Sequence, residues 1–205
     1  EGRLRKVPSR VVGLRGAAAV RASFEYACAL TKSGAVWCWG RNHRGQLGNA
    51  TRRSTSRPTR VRGLRGAVQL EVDENRSCAV LRDGTLRCWP VKGQRRPRAT
   101  QVPGLTGVRQ VATGADHTWV VAAGGRVWCW GDNTHGQLGD ATTKSSATPV
   151  RVKGLTDVEV LVGLSKSTCA VKTDAGLYCW GAIGRRQRGK RRVVPSPRKV
   201  KLIGQ

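Results

Sequence analysis

Methionine is absent from this 205-residue chain, phenylalanine occurs once, tyrosine twice, and only 12 acidic side chains stand against 38 lysines and arginines. No run of about 18 apolar residues exists, so no membrane-spanning helix is expected. The chain starts at Glu1 rather than methionine, which reads as a processed or excerpted chain with any targeting segment out of view. The seven cysteines (28, 38, 78, 88, 129, 169, 179) never fall in a C-x-x-C pattern, so no zinc site is expected. His43, His117 and His135 occupy non-equivalent places relative to nearby tryptophans, and the acidic pairs Asp73/Glu74 and Asp157/Glu159 lack a nucleophile pattern beside them. The expectation is a protein that is not an enzyme, with no cofactor, no metal and no small-molecule substrate.

What is present is positive charge, unevenly placed. The formal net charge of +26 divides into +17 over 1–115, zero over 116–182 and +9 over 183–205. One long stretch does without the excess, so the charge is an addition to the architecture. Its self-repulsion is most simply offset by a polyanion.

The architecture is repetitive. Trp39, Trp89, Trp130 and Trp180 recur at intervals of 50, 41 and 50, and the series Leu14, Leu64, Leu105, Leu155 and Val11, Val61, Val102, Val152 keep the same rhythm. A single repeat domain over 1–205 follows, with units at 11–60, 61–101, 102–151 and 152–199 and the start of a fifth at 200–205. Each unit runs from a Val–x–Gly–Leu lead-in to a mixed strand, an apolar strand, a turn with glycine (TKSG, RDGT, AAGG, TDAG) and a strand ending in Cys–Trp. With Ser33 at the turn midpoint, Ala29 faces Trp37 and Cys28 faces Cys38, and the glycine at the last turn position supplies the positive φ of a short hairpin. Large groups on both faces of the Cys–Trp strand fit a strand sandwiched between neighbouring sheets. The tryptophans are read as packing.

ALTKSGAVWCWGRNHRGQLGN (29–49) and VAAGGRVWCWGDNTHGQLGD (121–140) resemble the repeat of the regulator of chromosome condensation family, whose pattern is L-x-x-x-G-x-V-x-x-W-G-x-N-x-x-G-Q-L-G. The resemblance implies an all-β fold, a β-propeller of that type. Four blade-like repeats plus the opening strand of a fifth, where the family normally has seven blades, imply a partial or truncated propeller.

The hairpins persist from unit to unit, while the segments between them are rewritten. The first and third units keep GQLG at 45–48 and 136–139; the second reads WPVKGQRRPRATQVPGL over 89–105, and the fourth reads WGAIGRRQRGKRRVVPSPRKV over 180–200. Arginine replaces neutral turn residues there, including a basic loop at 184–199, on connectors where recognition usually sits. The candidate RNA-binding residues are Arg52, Arg53, Arg57, Arg60 and Arg62; Lys92, Arg95, Arg96 and Arg98; and Arg185, Arg186, Arg188, Lys190, Arg191, Arg192, Arg198, Lys199 and Lys201. Arginine's planar fork suits phosphate and stacks on exposed bases. No sequence-specific reader motif accompanies it, so backbone contacts are expected.

The C-x9-C spacing (28/38, 78/88, 169/179) has two readings: a cross-strand disulfide in each of three units, implying an oxidising compartment, or small buried hydrophobes at repeat positions. The second is favoured, because the strand pair exists without the bond and Trp119 fills the equivalent place in the third unit. The favoured function is a non-catalytic, structural or assembly component of a large ribonucleoprotein, a mitochondrial ribosome above all, gripping ribosomal RNA beside neighbouring ribonucleoprotein proteins. The resemblance carries two alternatives. One is a protein-binding propeller of exchange-factor or inhibitor type, in the nucleus; the other is a secreted, disulfide-stapled repeat protein.

Overall fold

The computed structural model describes Val7 and residues 10–74, 76–90, 95–114, 116–163, 165–187 and 190–200, with the backbone alone over 184–187 and 190–192. The chain divides into two compact units, Glu1–Pro103 and Gly104–Gln205. In the first, β1 (Ala17–Ala22), β2 (Tyr26–Thr31), β3 (Val36–Gly40) and β4 (Thr55–Arg60) form one sheet in chain order; β5 (Ala67–Val72), β6 (Ser77–Leu81), β7 (Leu86–Trp89) and β8 (Thr100–Gln101) form another. The second unit repeats the plan with β9 (Gln110–Thr113), β10 (His117–Ala122), β11 (Arg126–Gly131) and β12 (Ser146–Arg151), then β13 (Val158–Gly163), β14 (Ser167–Lys172), β15 (Leu177–Gln187) and β16 (Lys190–Lys199). Every pairing is antiparallel. A four-stranded meander is the blade form that the repeat implied, and the protein is all-β with one 3₁₀ turn at Ala123–Gly125 among the described residues.

The hairpin register is the one the turn spacing requires: Cys28 opposes Cys38, and Ala29 opposes Trp37. One turn departs from expectation. In TDAG the left-handed residue is Ala175 (φ 59) rather than Gly176, whose N–H instead binds the Asp174 carboxylate at 2.9 Å. The segment expected as a basic loop at 184–199 is also different: it continues β15 and builds β16, with Ala182 opposite Val193 and Gln187 opposite Lys190. Each added pair satisfies backbone groups that a loop would leave to water, and arginine carries no turn signal that would have stopped the ladder. The expected fifth unit at 200–205 lies outside the described residues beyond Val200.

The cysteine expectation is corrected. Cys28–Cys38, Cys78–Cys88 and Cys169–Cys179 are disulfides, and Cys129 alone is free and buried. Each pair sits directly across the ladder with Cα atoms 4.0–4.1 Å apart, close enough for the sulfurs to meet once register is set. Packing and bonding are therefore both served by the same positions. In the third sheet Trp119 opposes Cys129 and occupies the partner's place.

Each unit has its own apolar cluster, and in both the last link is a tryptophan. Trp89 is fully buried and its indole N–H donates to the Gln46 carbonyl at 2.9 Å; Trp180 repeats this with the Gln137 carbonyl at 2.9 Å. Thus the GQLG turn between the third and fourth strands of one sheet cups the Cys–Trp strand of the next. Gly48 and Gly139 make this possible: they hold φ +58 and +68, and a Cβ on either would stand 2.7 Å from the indole. Buried Asn42 and Asn133 shape the same turn, accepting from the Leu47 and Leu138 N–H groups at 2.9 Å.

Two outcomes follow. Gly48→Ala and Gly139→Ala each cost about 2 kcal/mol or more, from left-handed strain plus overpacking, read as a drop in urea midpoint; a neutral effect in both would contradict the clamp. Thiol titration of the unfolded chain without reductant yields one thiol, rising to seven after reduction; seven in both would contradict the disulfides.

Candidate functional site

Beside the first clamp, β4 runs into the lead-in of the next sheet. Arg62 donates its N–H to the Gly48 carbonyl at 2.8 Å, and its own carbonyl accepts from Ala99 N–H at 3.0 Å. Pro97 packs against Gly45, and its carbonyl accepts from Ala50 N–H at 2.8 Å. The RRPR segment, 95–98, is thereby folded back onto the GQLG turn of the preceding repeat. The result is a cleft of about 1400 Å³ lined by Arg60, Arg62 and Arg65 of the lead-in, Arg95, Arg96 and Arg98 of the RRPR segment, and Arg87 of β7. Asn49, Thr59, Val61, Leu64 and Leu81 complete the lining, and no carboxylate is among the described lining residues.

Arg87 is anchored to the backbone of the lead-in. Its Nη1 donates to the Gly63 carbonyl at 2.9 Å, while its Nε is buried without a hydrogen-bond partner among the described residues. A guanidinium so held is pre-oriented for an oxyanion.

The second unit supplies an internal comparison. Its equivalent groove, about 620 Å³, is lined by Arg151, Val152, Lys153 and Gly154 together with Asp140. Lys153 N–H donates to the Gly139 carbonyl at 3.0 Å, as Arg62 does to Gly48. The backbone is the same, yet Asp140 stands where the first groove has Asn49, Thr156 where it has Arg65, and Tyr178 where it has Arg87. Scaffold alone does not demand arginine here.

Of the sequence-predicted residues, Arg60, Arg62, Arg95, Arg96 and Arg98 converge on this cleft. Arg52, Arg53 and Arg57 do not line it; Arg57 is exposed on β4, and Arg52 and Arg53 are exposed on the connector before it, where Arg52 Nη1 donates to the His43 carbonyl at 3.2 Å and the Arg53 carbonyl accepts from Asn42 at 3.0 Å. Arg198 and Lys199 are exposed on β16, opposite Cys179 and Tyr178. Arg185, Arg186, Lys190, Arg191 and Arg192 lie on the β15–β16 backbone; Lys92, Arg188 and Lys201 lie outside the described residues. Sequence reasoning missed Arg65 and Arg87. Arg87 was legible, since it replaces the aromatic that the other repeats carry as Trp37, Trp128 and Tyr178.

The histidines stay apart. His43 is exposed, and His135 accepts or donates to the Thr134 hydroxyl at 2.9 Å. His117 is buried, stacked on Trp119 with centroids 4.8 Å apart and within 3.4 Å of the Thr168 hydroxyl. Burial pushes its pKa down to about 4, against the smaller pull of Asp132 and Asp116. It is a neutral packing group with no route to substrate. No cluster of three His, Cys, Asp or Glu able to hold a metal occurs among the described residues, and no described helix is long and apolar enough to cross a membrane.

Because the folded pKa of His117 is depressed, the unfolded chain binds the extra proton between about pH 6.5 and about pH 4. Its stabilising contribution is full above that window and declines as pH falls through it, by at most about 1.4 kcal/mol per pH unit. Urea midpoints at several pH values in this range should fall for the parent and fall less steeply for His117→Gln; equal slopes would contradict the assignment.

The Regulator of chromosome condensation (RCC1) repeat family model matches residues 33–80 and 124–164, and a second model of the same description matches 18–46 and 108–137. The chain is 28% identical over 184 residues to the RCC1 domain-containing protein RUG3, mitochondrial, of Arabidopsis thaliana, covering 88% of this chain and 33% of that protein. Among solved structures, human WBSCR16 superposes with a TM-score of 0.78 at 23% identity, over 96% of this chain and 56% of that one. Prp20p of Saccharomyces cerevisiae, a structure described together with its binding properties to Gsp1p and histones, gives 0.72 at 23% identity, over 89% and 50%. At these identities the structural likeness shows the fold. The chain spans about a third of the plant relative and about half of each solved chain.

Proposed function

The chain belongs to the regulator of chromosome condensation repeat family, and we propose that it is a non-catalytic binding module that grips the phosphates of RNA through the arginine-lined cleft of its first unit. One observation carries the reading: among the described residues seven guanidiniums and no carboxylate line a groove whose repeat counterpart, closed by the same Lys153 and Ala141 backbone bonds, has Arg151, Lys153 and Asp140 in its lining. Seven like charges around one cleft repel one another, and a polyanion entering it relieves that repulsion while releasing its own counterions. The exposed Arg52, Arg53 and Arg57 of the same unit extend the field outside the cleft. The setting we propose is a large ribonucleoprotein, the mitochondrial ribosome first; the mitochondrial name of the plant relative supports it.

The three disulfides favour a second reading of where the module works. Bonds of this kind form and persist in oxidising compartments, which supports a secreted, disulfide-stapled repeat protein using the same cleft. Quenching cells with acid, unfolding the chain and alkylating it without reductant separates the two settings: one reactive thiol supports the secreted one, and seven support the ribonucleoprotein.

Binding itself is tested with labelled single-stranded RNA over a salt series. Five neutralised phosphates at about 0.7 each predict roughly a hundredfold loss of affinity between about 50 and 200 mM salt. Replacing Arg60, Arg62, Arg95 and Arg96 with Gln should flatten the log–log slope by about 3 units, whereas Arg151→Gln with Lys153→Gln should change it by less than half as much. Salt-independent binding, or equal effects of the two sets, would contradict the proposal.

A further inference from the structure

The only phenylalanine of the chain, Phe24, is also the most exposed large hydrophobic among the described residues, at 87% relative accessibility. It stands on the tight turn between β1 and β2, closed by the Ser23 N–H donating to the Tyr26 carbonyl at 2.9 Å. Packing does not require it: the equivalent places in the other repeats hold Glu74, Ala115 and Ser165. A single exposed apolar side chain is ordinary, but the surroundings of this one are not. It lines a groove of about 370 Å³ together with Arg41, His43, Arg44, Glu25 and Glu74. Arg41 pairs with Glu25, which leaves the Glu74 carboxylate facing a groove otherwise walled by an aromatic ring, an imidazole and Arg44.

That chemistry differs from the arginine cleft. A phosphate entering here meets a carboxylate, so this is no second phosphate seat. A nucleobase meets a flat ring to stack on, cationic and imidazole planes beside it, and a carboxylate able to accept from an exocyclic amine. The two sites are joined by one turn. Gln46 lines the small groove, Asn49 lines the arginine cleft, and the three Cα–Cα steps from one to the other, through Leu47 and Gly48, span at most about 10 Å. A strand whose phosphates lie in the cleft therefore brings a neighbouring base to Phe24, provided that base is unpaired.

We infer that the first unit takes single-stranded RNA, with phosphates in the arginine cleft and an unpaired base stacked on Phe24. The inference rests on the phosphate-gripping reading above and adds the state of the strand. A duplex keeps its bases stacked on one another and offers Phe24 nothing, whereas any unpaired base has a face to give.

The test uses the full chain and two fluorescein-labelled probes, a single-stranded RNA of about 12 nucleotides and a duplex of the same strand length, followed by anisotropy. Phe24→Ala should weaken single-strand binding about tenfold while leaving duplex binding and both salt slopes unchanged, and Phe24→Trp should retain the parent affinity. Equal single-strand affinity for the parent and Phe24→Ala, with the steep salt dependence intact, overturns this inference and leaves the phosphate reading standing. Equal loss on both probes also overturns it. If the parent binds neither RNA at low salt, or if polyglutamate displaces the single strand as well as polyuridylate does, the phosphate reading falls and this inference with it.

Discussion

Two indole hydrogen bonds organise the rest of this protein. Trp89 and Trp180 each bury a large ring whose one polar atom must find an acceptor, and the acceptor is the carbonyl of a glutamine in the turn between the third and fourth strands of the preceding sheet. An indole N–H sealed away without that carbonyl would cost about 1–3 kcal/mol, so sheet and turn come as a pair. The turn's glycines are dictated by contact with the ring, and its asparagine by the need to hold the connector in shape. Once the turn is fixed, the segment arriving from the next sheet has a surface to lie on, and that segment is where the arginines are.

Local chemistry follows from this dependence. The RRPR segment is short and bears a proline that rests on Gly45, so its arginines are delivered to one side of the turn in place of being spread over a mobile loop. Lead-in arginines reach the same cleft because the Arg62 backbone is locked between Gly48 and Ala99. The second unit performs the same backbone steps with Lys153 on Gly139 and Ala141 on Pro195, yet among the described residues its groove carries Arg151, Lys153 and Asp140 as its charges. Charge and scaffold are therefore separable variables, which is what allows a conserved frame to present a new surface.

Much of this was legible in the sequence, and for a physical reason: markers that repeat with one rhythm report backbone geometry that repeats with it. The Cys28–Cys38 register follows from the length of the turn, and the sheets follow from the hairpins. The rest was hidden where one residue type serves two ends. A C-x9-C pair across a ladder packs well as thiols and bonds well as a disulfide, so spacing alone does not choose. Arginine-rich β15–β16 lacks the apolar alternation of a strand, and its Gly184, Gly189, Pro195 and Pro197 read as loop residues. The glutamine carbonyl that receives the indole is a backbone atom, and backbone atoms leave no mark in a sequence beyond the glycines that let them approach. Arg87 was visible as an aromatic replaced by a cation, but its meaning depended on knowing that the aromatic column faces a groove.

The central claim is that the cleft of the first unit, and not basicity in general, receives the polyanion. Ultraviolet cross-linking of the full chain to bound RNA, followed by peptide mapping, tests it most directly. The account predicts adducts concentrated on 60–65, 87 and 95–98, with the 151–154 groove nearly free of them. Adducts spread evenly over every exposed arginine, or centred on the second unit's groove, would contradict it.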